Sequence, residues 1–235
     1  MGDRAHDNES HEYHAVPTIR RMSTESHRQA WQDMIARQLL GRGIRDKRVL
    51  DVMRTVPRHV FVPAHMRAKS YDDAPLAIGE GQTISQPYMV ALMSEMLELK
   101  GSERVLEVGT GSGYQAAILG LLAREVVSIE RHESLARKAQ ATLKLLGIMN
   151  VEVRVDDGTL GAPDRAPFDG IIVTAGGPHV PDSLVDQLAV GGRLICPVGP
   201  REGQRIVRVR RTEQGIIEEE GIRCAFVPLI GEEGW

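Results

Sequence analysis

Three glycines at alternate positions, in R-V-L-E-V-G-T-G-S-G-Y from Arg104 to Tyr114, constrain this chain more than any other stretch. Val105 to Val108 has the β-branched and leucine composition of a buried strand, and Gln115 to Leu122 reads as helix. Glycines between them let the backbone turn tightly and approach a ligand. Strand, glycine turn and helix in that order make a cradle for a nucleotide-like molecule; the alternative is an ordinary βα turn, which does not account for the glycine density.

The spacing narrows the ligand. A dinucleotide fingerprint wants G-x-G-x-x-G, with the pyrophosphate at the helix N-terminus. Here the third glycine comes one residue early, at Gly113, and Tyr114 stands where that fingerprint has Gly or Ala. Glu107 puts a carboxylate just before the turn, which would repel a pyrophosphate and attract a cation. S-adenosylmethionine carries a sulfonium and an ammonium, and the E-x-G-x-G-x-G pattern of Glu107, Gly109, Gly111 and Gly113 resembles motif I of the class I methyltransferases.

At 235 residues and 42% hydrophobic content the chain can bury a full core, which suits one catalytic domain. A formal charge of -3 lacks the strong basic footprint of a dedicated nucleic-acid binder, so no nucleic-acid partner is expected. No apolar run approaches the ~18 residues of a membrane span, and no apolar signal core opens the chain, so a cytoplasmic protein without a membrane partner is expected. Cys196 and Cys224 lie in separate apolar segments without C-x-x-C spacing, which predicts buried free thiols and no metal site.

Residues 1–27 read as a polar, disordered tail, and its His6, His11, His14 and His27 as solvated side chains rather than metal ligands. From Arg28, Trp31, Met34, Ile35, Gln38 and Leu39 recur at helical spacing until Gly41 and Gly43 stop the helix. A second helix follows, N-capped by Asp46, with Val49, Leu50, Val52 and Met53 as its stripe, and Pro57 interrupts it. Tyr71 to Gln86 reads as a long irregular connection, of the kind that is often functional. It runs into T-I-S-Q-P-Y-M, where Pro87 suits a helix's first turn and Met89, Leu92, Met93, Met96 and Leu97 form its buried face. Ser85 thus lies at a helix start, and a capping role stands open beside a catalytic one.

Beyond the glycine turn, V-V-S-I-E ends in Glu130, about one βαβ spacing on, where an acid accepts hydrogen bonds from ribose hydroxyls; capping of the next helix is the weaker alternative. That helix, Arg131 to Leu146, stops at Gly147. The strand Val151 to Val155 delivers Asp156, Asp157 and Gly158 to a strand end, where Asp157 is placed to accept from an adenine amino group or to serve as a turn aspartate. Phe168 to Thr174 is another buried strand, followed by a helix from about Asp182 to Ala189 and a strand after Gly191 and Gly192. Strict alternation predicts an α/β fold with a doubly wound, mostly parallel sheet. The tail alternates as further strands, I-V-R-V-R, I-I-E-E-E and I-R-C-A-F-V-P-L, which would finish the sheet antiparallel.

Taken together, G-Q-T-I-S-Q-P-Y-M, V-L-E-V-G-T-G-S-G-Y, F-D-G-I-I-V-T-A and the closing F-V-P-L resemble the protein-L-isoaspartate O-methyltransferase family, from about Arg28 to the C-terminal strands. The resemblance implies a Rossmann-like class I methyltransferase fold and methyl transfer from S-adenosyl-L-methionine to the free carboxylate of L-isoaspartyl residues in damaged proteins and peptides. The ester then collapses through a succinimide, which starts repair. It implies one methyltransferase domain over 28–235, divided into N-terminal helices and loop (28–86), cofactor-binding core (87–200) and C-terminal strands (201–235), acting as a monomer. Ser85 matches the family's active-site serine. Thr83, Ile84, the turn Glu107, Gly109, Thr110, Gly111, Ser112 and Gly113, and then Glu130, Asp157, Gly158 and Gln204, match cofactor contacts; Phe226, Val227 and Pro228 match a segment near the peptide groove. The sequence departs from the family in reading D-D-G, where many relatives have G-D-G, and in A-G-G-P after the fourth strand. An isoaspartyl carboxylate, with a pKa of about 3.3 to 3.7, is already ionised at neutral pH, so His59, His65 and His179 are not required as a base and take structural or surface roles. The rival readings are a class I methyltransferase for RNA or a small molecule, which leaves T-I-S-Q-P without a role, a nicotinamide dehydrogenase, which has the wrong glycine spacing, and a binding module without catalysis.

Overall fold

The computed structural model describes residues 25–235. Among them the sheet has seven strands in the order β5-β4-β3-β6-β7-β8-β9: β3 (Arg104–Val108), β4 (Glu125–Glu130), β5 (Val151–Val155), β6 (Phe168–Val173), β7 (Leu188–Val198), β8 (Gln204–Thr212) and β9 (Gly215–Cys224). Pairing is parallel from β5 to β7 and antiparallel from β7 to β9, as the alternating tail predicts. Successive strand residues point to opposite faces. Val105, Val126 and Ile172 join the apolar core on one face, and Leu106, Val127 and Ile171 the core on the other. Burial on both faces explains why β3 and β4 read as nearly continuous apolar runs.

The strand order reverses between β3 and β6, and the chain ends leaving those two strands border the crevice where open α/β sheets take ligands. Helix α4 (Tyr114–Leu122) crosses from β3 to β4, and α5 (Glu133–Leu145) from β4 to β5. Strict alternation fails next. The crossover from β5 to β6 uses two short 3-10 turns, Gly158–Leu160 and Pro163–Arg165, and α6 spans only Asp182–Asp186 before β7 begins. Residues 157–167 carry two glycines and two prolines but no helical apolar stripe, so nothing there favours a full helix.

The N-terminal part starts earlier than residue 28. Helix α1 (Glu25–Asp33) continues as a π-helical stretch, Met34–Leu39, and a 3-10 turn, Leu40–Arg42, closed by Gly43 at φ 98°. His27, expected as a solvated tail residue, stacks on His59 with ring centroids 4.4 Å apart; His6, His11 and His14 lie outside the described residues. Helix α2 (Lys47–Met53) is N-capped by Asp46, which accepts from Arg48 N and Val49 N, and its predicted stripe is buried. Arg48 fastens α2 to the core by donating to the carbonyls of Leu99 (2.7 Å) and Leu122 (2.9 Å).

The expected irregular connection before α3 (Pro87–Met96) contains a hairpin, β1 (Leu76–Gly79) and β2 (Gln82–Ile84), turned by Glu80 and Gly81 at φ 52° and 68°. Its strands are three and four residues long, too short for a period-2 pattern to stand out. No helix among the described residues is long and apolar enough to cross a membrane.

Candidate active site

Gly109 sits at φ 97°, and a β-carbon there would overlap the hydroxyl of Thr174 at the end of β6. Gly113 is the left-handed N-cap of α4, and a β-carbon there would lie 3.0 Å from that of Ala139 on α5. The first glycine therefore lets β3 and β6 meet at the switch point, and the third lets α4 start against its neighbour. Thr174 locks the join, donating from Oγ1 to Gly109 O at 2.6 Å. The hairpin covers the turn, with Ile78 Cδ1 3.5 Å from the β-carbon position of Gly111, and its tip is held when Ser134 donates to Glu80 at 2.6 Å.

Two clefts meet here. One, at the strand ends, is lined by Gly109, Gly111, Glu130, His132 and Gly158, with Val227 and Pro228 on its far side. The second runs past Ser85, Gln86 and Met89 to Cys224 and Phe226. Thr83, Thr174 and Val227 line both. A small hollow at the junction brings Ile84 and Ser85 against Gly109, Thr110, Gly111 and Ser112. The cap of α3 is Gln86, whose side chain makes no capping bond, so Ser85 lies one residue outside that position.

Glu130 is 5% exposed, and both its oxygens are engaged by backbone, Oε2 by Gly111 N at 2.8 Å and Oε1 by His132 N at 2.9 Å. The N-cap of α5 is His132, so Glu130 braces the turn rather than capping the helix, with lone pairs left for further donors. Glu107 differs from expectation. It is fully buried in β3, does not border the cleft, and accepts from Ser128, whose hydroxyl is 2.5 Å from that of Thr110. Burial pushes its pKa up to about 8, against the Ser128 hydrogen bond and with Glu130 adding to the rise. The free protein at neutral pH thus holds Glu107 mostly uncharged, under the turn, and not as a counter-charge in the cleft.

Two more expected contacts are placed elsewhere. Gln204 is buried with its amide spent on protein: Oε1 accepts from Phe226 N at 2.8 Å, and Nε2 donates to Pro200 O at 3.1 Å. Asp157 caps the 3-10 turn through Thr159 N (2.9 Å) and takes Glu232 N at 2.8 Å, so it ties down the C-terminal segment and does not border the cleft. Burial raises its pKa, but these hydrogen bonds and the charge of Arg131 bring it below the ordinary value. The segment Phe226 to Leu229 is not a strand, but it is fixed by bonds from Gly176 N to Val227 O and from Leu229 N to Gly176 O, both 2.8 Å. Gly176 of A-G-G-P serves that seam, while Gly177 N bonds to Pro197 O at 3.0 Å.

Thr174, His132 and Arg42, which lines the second cleft, were not singled out from the sequence. Thr174 had a signal, being the residue that leaves the strand beside the glycine turn; the other two had none. His59 is buried with Nδ1 2.8 Å from the Tyr71 hydroxyl, while His65 and His179 are exposed, so no histidine among these three reaches the junction. Cys196 is buried, whereas Cys224 is only half-buried and borders the second cleft; burial pushes its thiol up to about 11, which keeps it un-ionised at neutral pH.

An adenosyl ligand bearing a cationic sulfonium fits these residues. The glycine turn gives it backbone, Glu130 gives it acceptors, and a buried polar atom of the cleft lining, His132 Nε2, has no partner among the described residues. Residues 29–234 match the family model described as protein-L-isoaspartate(D-aspartate) O-methyltransferase. A protein-L-isoaspartate O-methyltransferase of Geobacter metallireducens is 56% identical over 203 residues, covering 86% of this chain and 94% of the relative. A solved protein-L-isoaspartate O-methyltransferase superposes with a TM-score of 0.78 at 27% identity, over 88% of this chain and 67% of the other. A Plasmodium falciparum structure of that description, in complex with S-adenosyl-L-homocysteine, superposes with a TM-score of 0.73 at 28% identity, over 87% and 98% of the two chains.

Proposed function

The chain belongs to the protein-L-isoaspartate O-methyltransferase family, and from that premise we infer how its own residues divide the work. It is an S-adenosyl-L-methionine-dependent enzyme that esterifies the free carboxylate of L-isoaspartyl residues in damaged proteins and peptides, starting their repair through a succinimide. The bound cofactor supplies an electrophilic methyl group on a sulfonium.

In our reading, Gly109, Gly111 and Gly158 give backbone to the cofactor, and Glu130 accepts from its ribose. Glu107 acts from beneath, holding the turn through Ser128 and Thr110. Thr83, Thr174 and Val227 form the boundary across which methyl transfer takes place, because they line both clefts. Ser85 donates its hydroxyl to the acceptor carboxylate, and Phe226 walls the acceptor peptide. The acceptor is ionised at neutral pH, so catalysis here is alignment of a carboxylate oxygen and removal of its water, with no proton to abstract. Gln204 and Asp157 contribute by fixing the C-terminal segment that closes the junction.

The observation that carries this assignment is the shared hollow that sets Ser85 against the glycine turn. We take 28–235 as a single working unit that acts as a monomer, and we place it in the cytoplasm. Methyl transfer from labelled cofactor to matched peptides, differing only in L-isoaspartyl or L-aspartyl linkage, tests the activity. Label should enter only the first; equal labelling of both, or of RNA instead, would overturn it.

A further inference from the structure

The acceptor groove carries two arginines, Arg42 and Arg223, and no acidic side chain among the described residues that line it. Arg42 is held in place: its guanidinium carbon lies 3.6 Å from the centroid of the Tyr88 ring, and Nη1 is 3.1 Å from Asp73 Oδ2. Asp73 also accepts from Gln86 Nε2 at 2.8 Å, so Arg42 is partly neutralised and rigid. Arg223, at the end of β9, is exposed, and the nearby Glu220 pairs with Arg205 at 3.7 Å instead. The rest of the lining is largely apolar or uncharged: Pro75, Met89, Ile222, Phe226 and Val227.

One isoaspartyl carboxylate seated at Ser85 does not use both cations. A second negative charge on the peptide would, and Arg223, unlike Arg42, pairs with no carboxylate among the described residues. Resting on the reading of this groove as the acceptor site, we propose that Arg223, supported by Arg42, makes the enzyme selective for isoaspartyl residues flanked by acidic side chains.

Exposed ion pairs amount to about 0.2 to 1 kcal/mol, or roughly 1.4- to 5-fold each. Attraction of a flanking glutamate and repulsion of a flanking lysine add, giving about a tenfold preference in kcat/KM at low ionic strength. Salt shortens the screening length and should shrink it.

The test uses three isoaspartyl peptides whose two flanking residues are Glu, Gln or Lys, with kcat/KM measured for the full chain and for Arg223→Gln and Arg223→Glu. The expected order is Glu, then Gln, then Lys, compressed to about threefold in Arg223→Gln and inverted in Arg223→Glu. Equal kcat/KM for the three peptides, or an unchanged order in Arg223→Glu, overturns the proposal. Methylation of none of the isoaspartyl peptides is a different result: it removes the underlying activity, and the proposal falls with it.

Discussion

Replacing Glu107 with glutamine should make the protein's stability less sensitive to pH, by an amount that follows from burial. Glutamine keeps the shape and can still accept from Ser128, but it cannot ionise. In the folded protein the carboxyl is raised from its ordinary 4.5 to about 8, with burial the main cause. A folded-state value above the unfolded one means that the neutral form favours folding. The contribution is complete below about pH 4.5 and is lost as pH rises through about 8. At about 1.36 kcal/mol per pH unit the full loss is roughly 5 kcal/mol, of which roughly half falls between pH 5 and pH 7. Urea unfolding of both proteins at these two pH values reads it directly. Other titrating groups are common to both chains and cancel, so the stability of Glu107→Gln relative to the parent should rise by about 2 to 3 kcal/mol over that interval. A difference that stays flat within about 0.5 kcal/mol would refute the buried, neutral Glu107 described here.

Ser85→Ala should lower kcat on an isoaspartyl peptide by ~10² or more, while stability changes by less than about 1 kcal/mol because Gln86 holds the cap position; steady-state kinetics with near-normal kcat in a folded variant would remove the catalytic role. Glu130→Ala deletes acceptors for Gly111 N and His132 N as well as for ribose, so calorimetry should find cofactor affinity down at least about tenfold, a loss of one charge-assisted bond of about 1.5 to 3 kcal/mol; unchanged affinity counts against the ribose role. Gly109→Ala forces a side chain into left-handed backbone and onto the Thr174 hydroxyl, for a cost of about 1 to 3 kcal/mol. Adding Thr174→Ala should recover part of the lost Tm, and strictly additive losses would show that the two residues do not collide.

Elements dictated by local chemistry were legible without a structure. β3, β4 and β6 are buried runs bounded by turns, α2 announces its Asp46 cap, α5 has a clean stripe ended by Gly147, and three positive-φ glycines admit few alternatives. Elements that depend on long-range pairing were not. Each strand of the β1-β2 hairpin is too short to signal itself, and it exists because it packs over the glycine turn and ties to α5.

The same division runs through the site. The sequence alone determined the glycine cradle, the acid at the end of β4 and the T-I-S element, because those depend on residue type and spacing along one stretch. It could not determine what each polar group would spend its hydrogen bonds on. Glu107 is uncharged because the sheet buries it on both faces; Gln204 and Asp157 are committed to a C-terminal segment more than 20 residues distant in sequence. Arg42, Thr174 and Arg223 meet at one groove only after the chain has wound the sheet and returned. Spacing is a local property of a chain, but desolvation and the partnering of a buried polar group are set by whatever the rest of the fold brings alongside it.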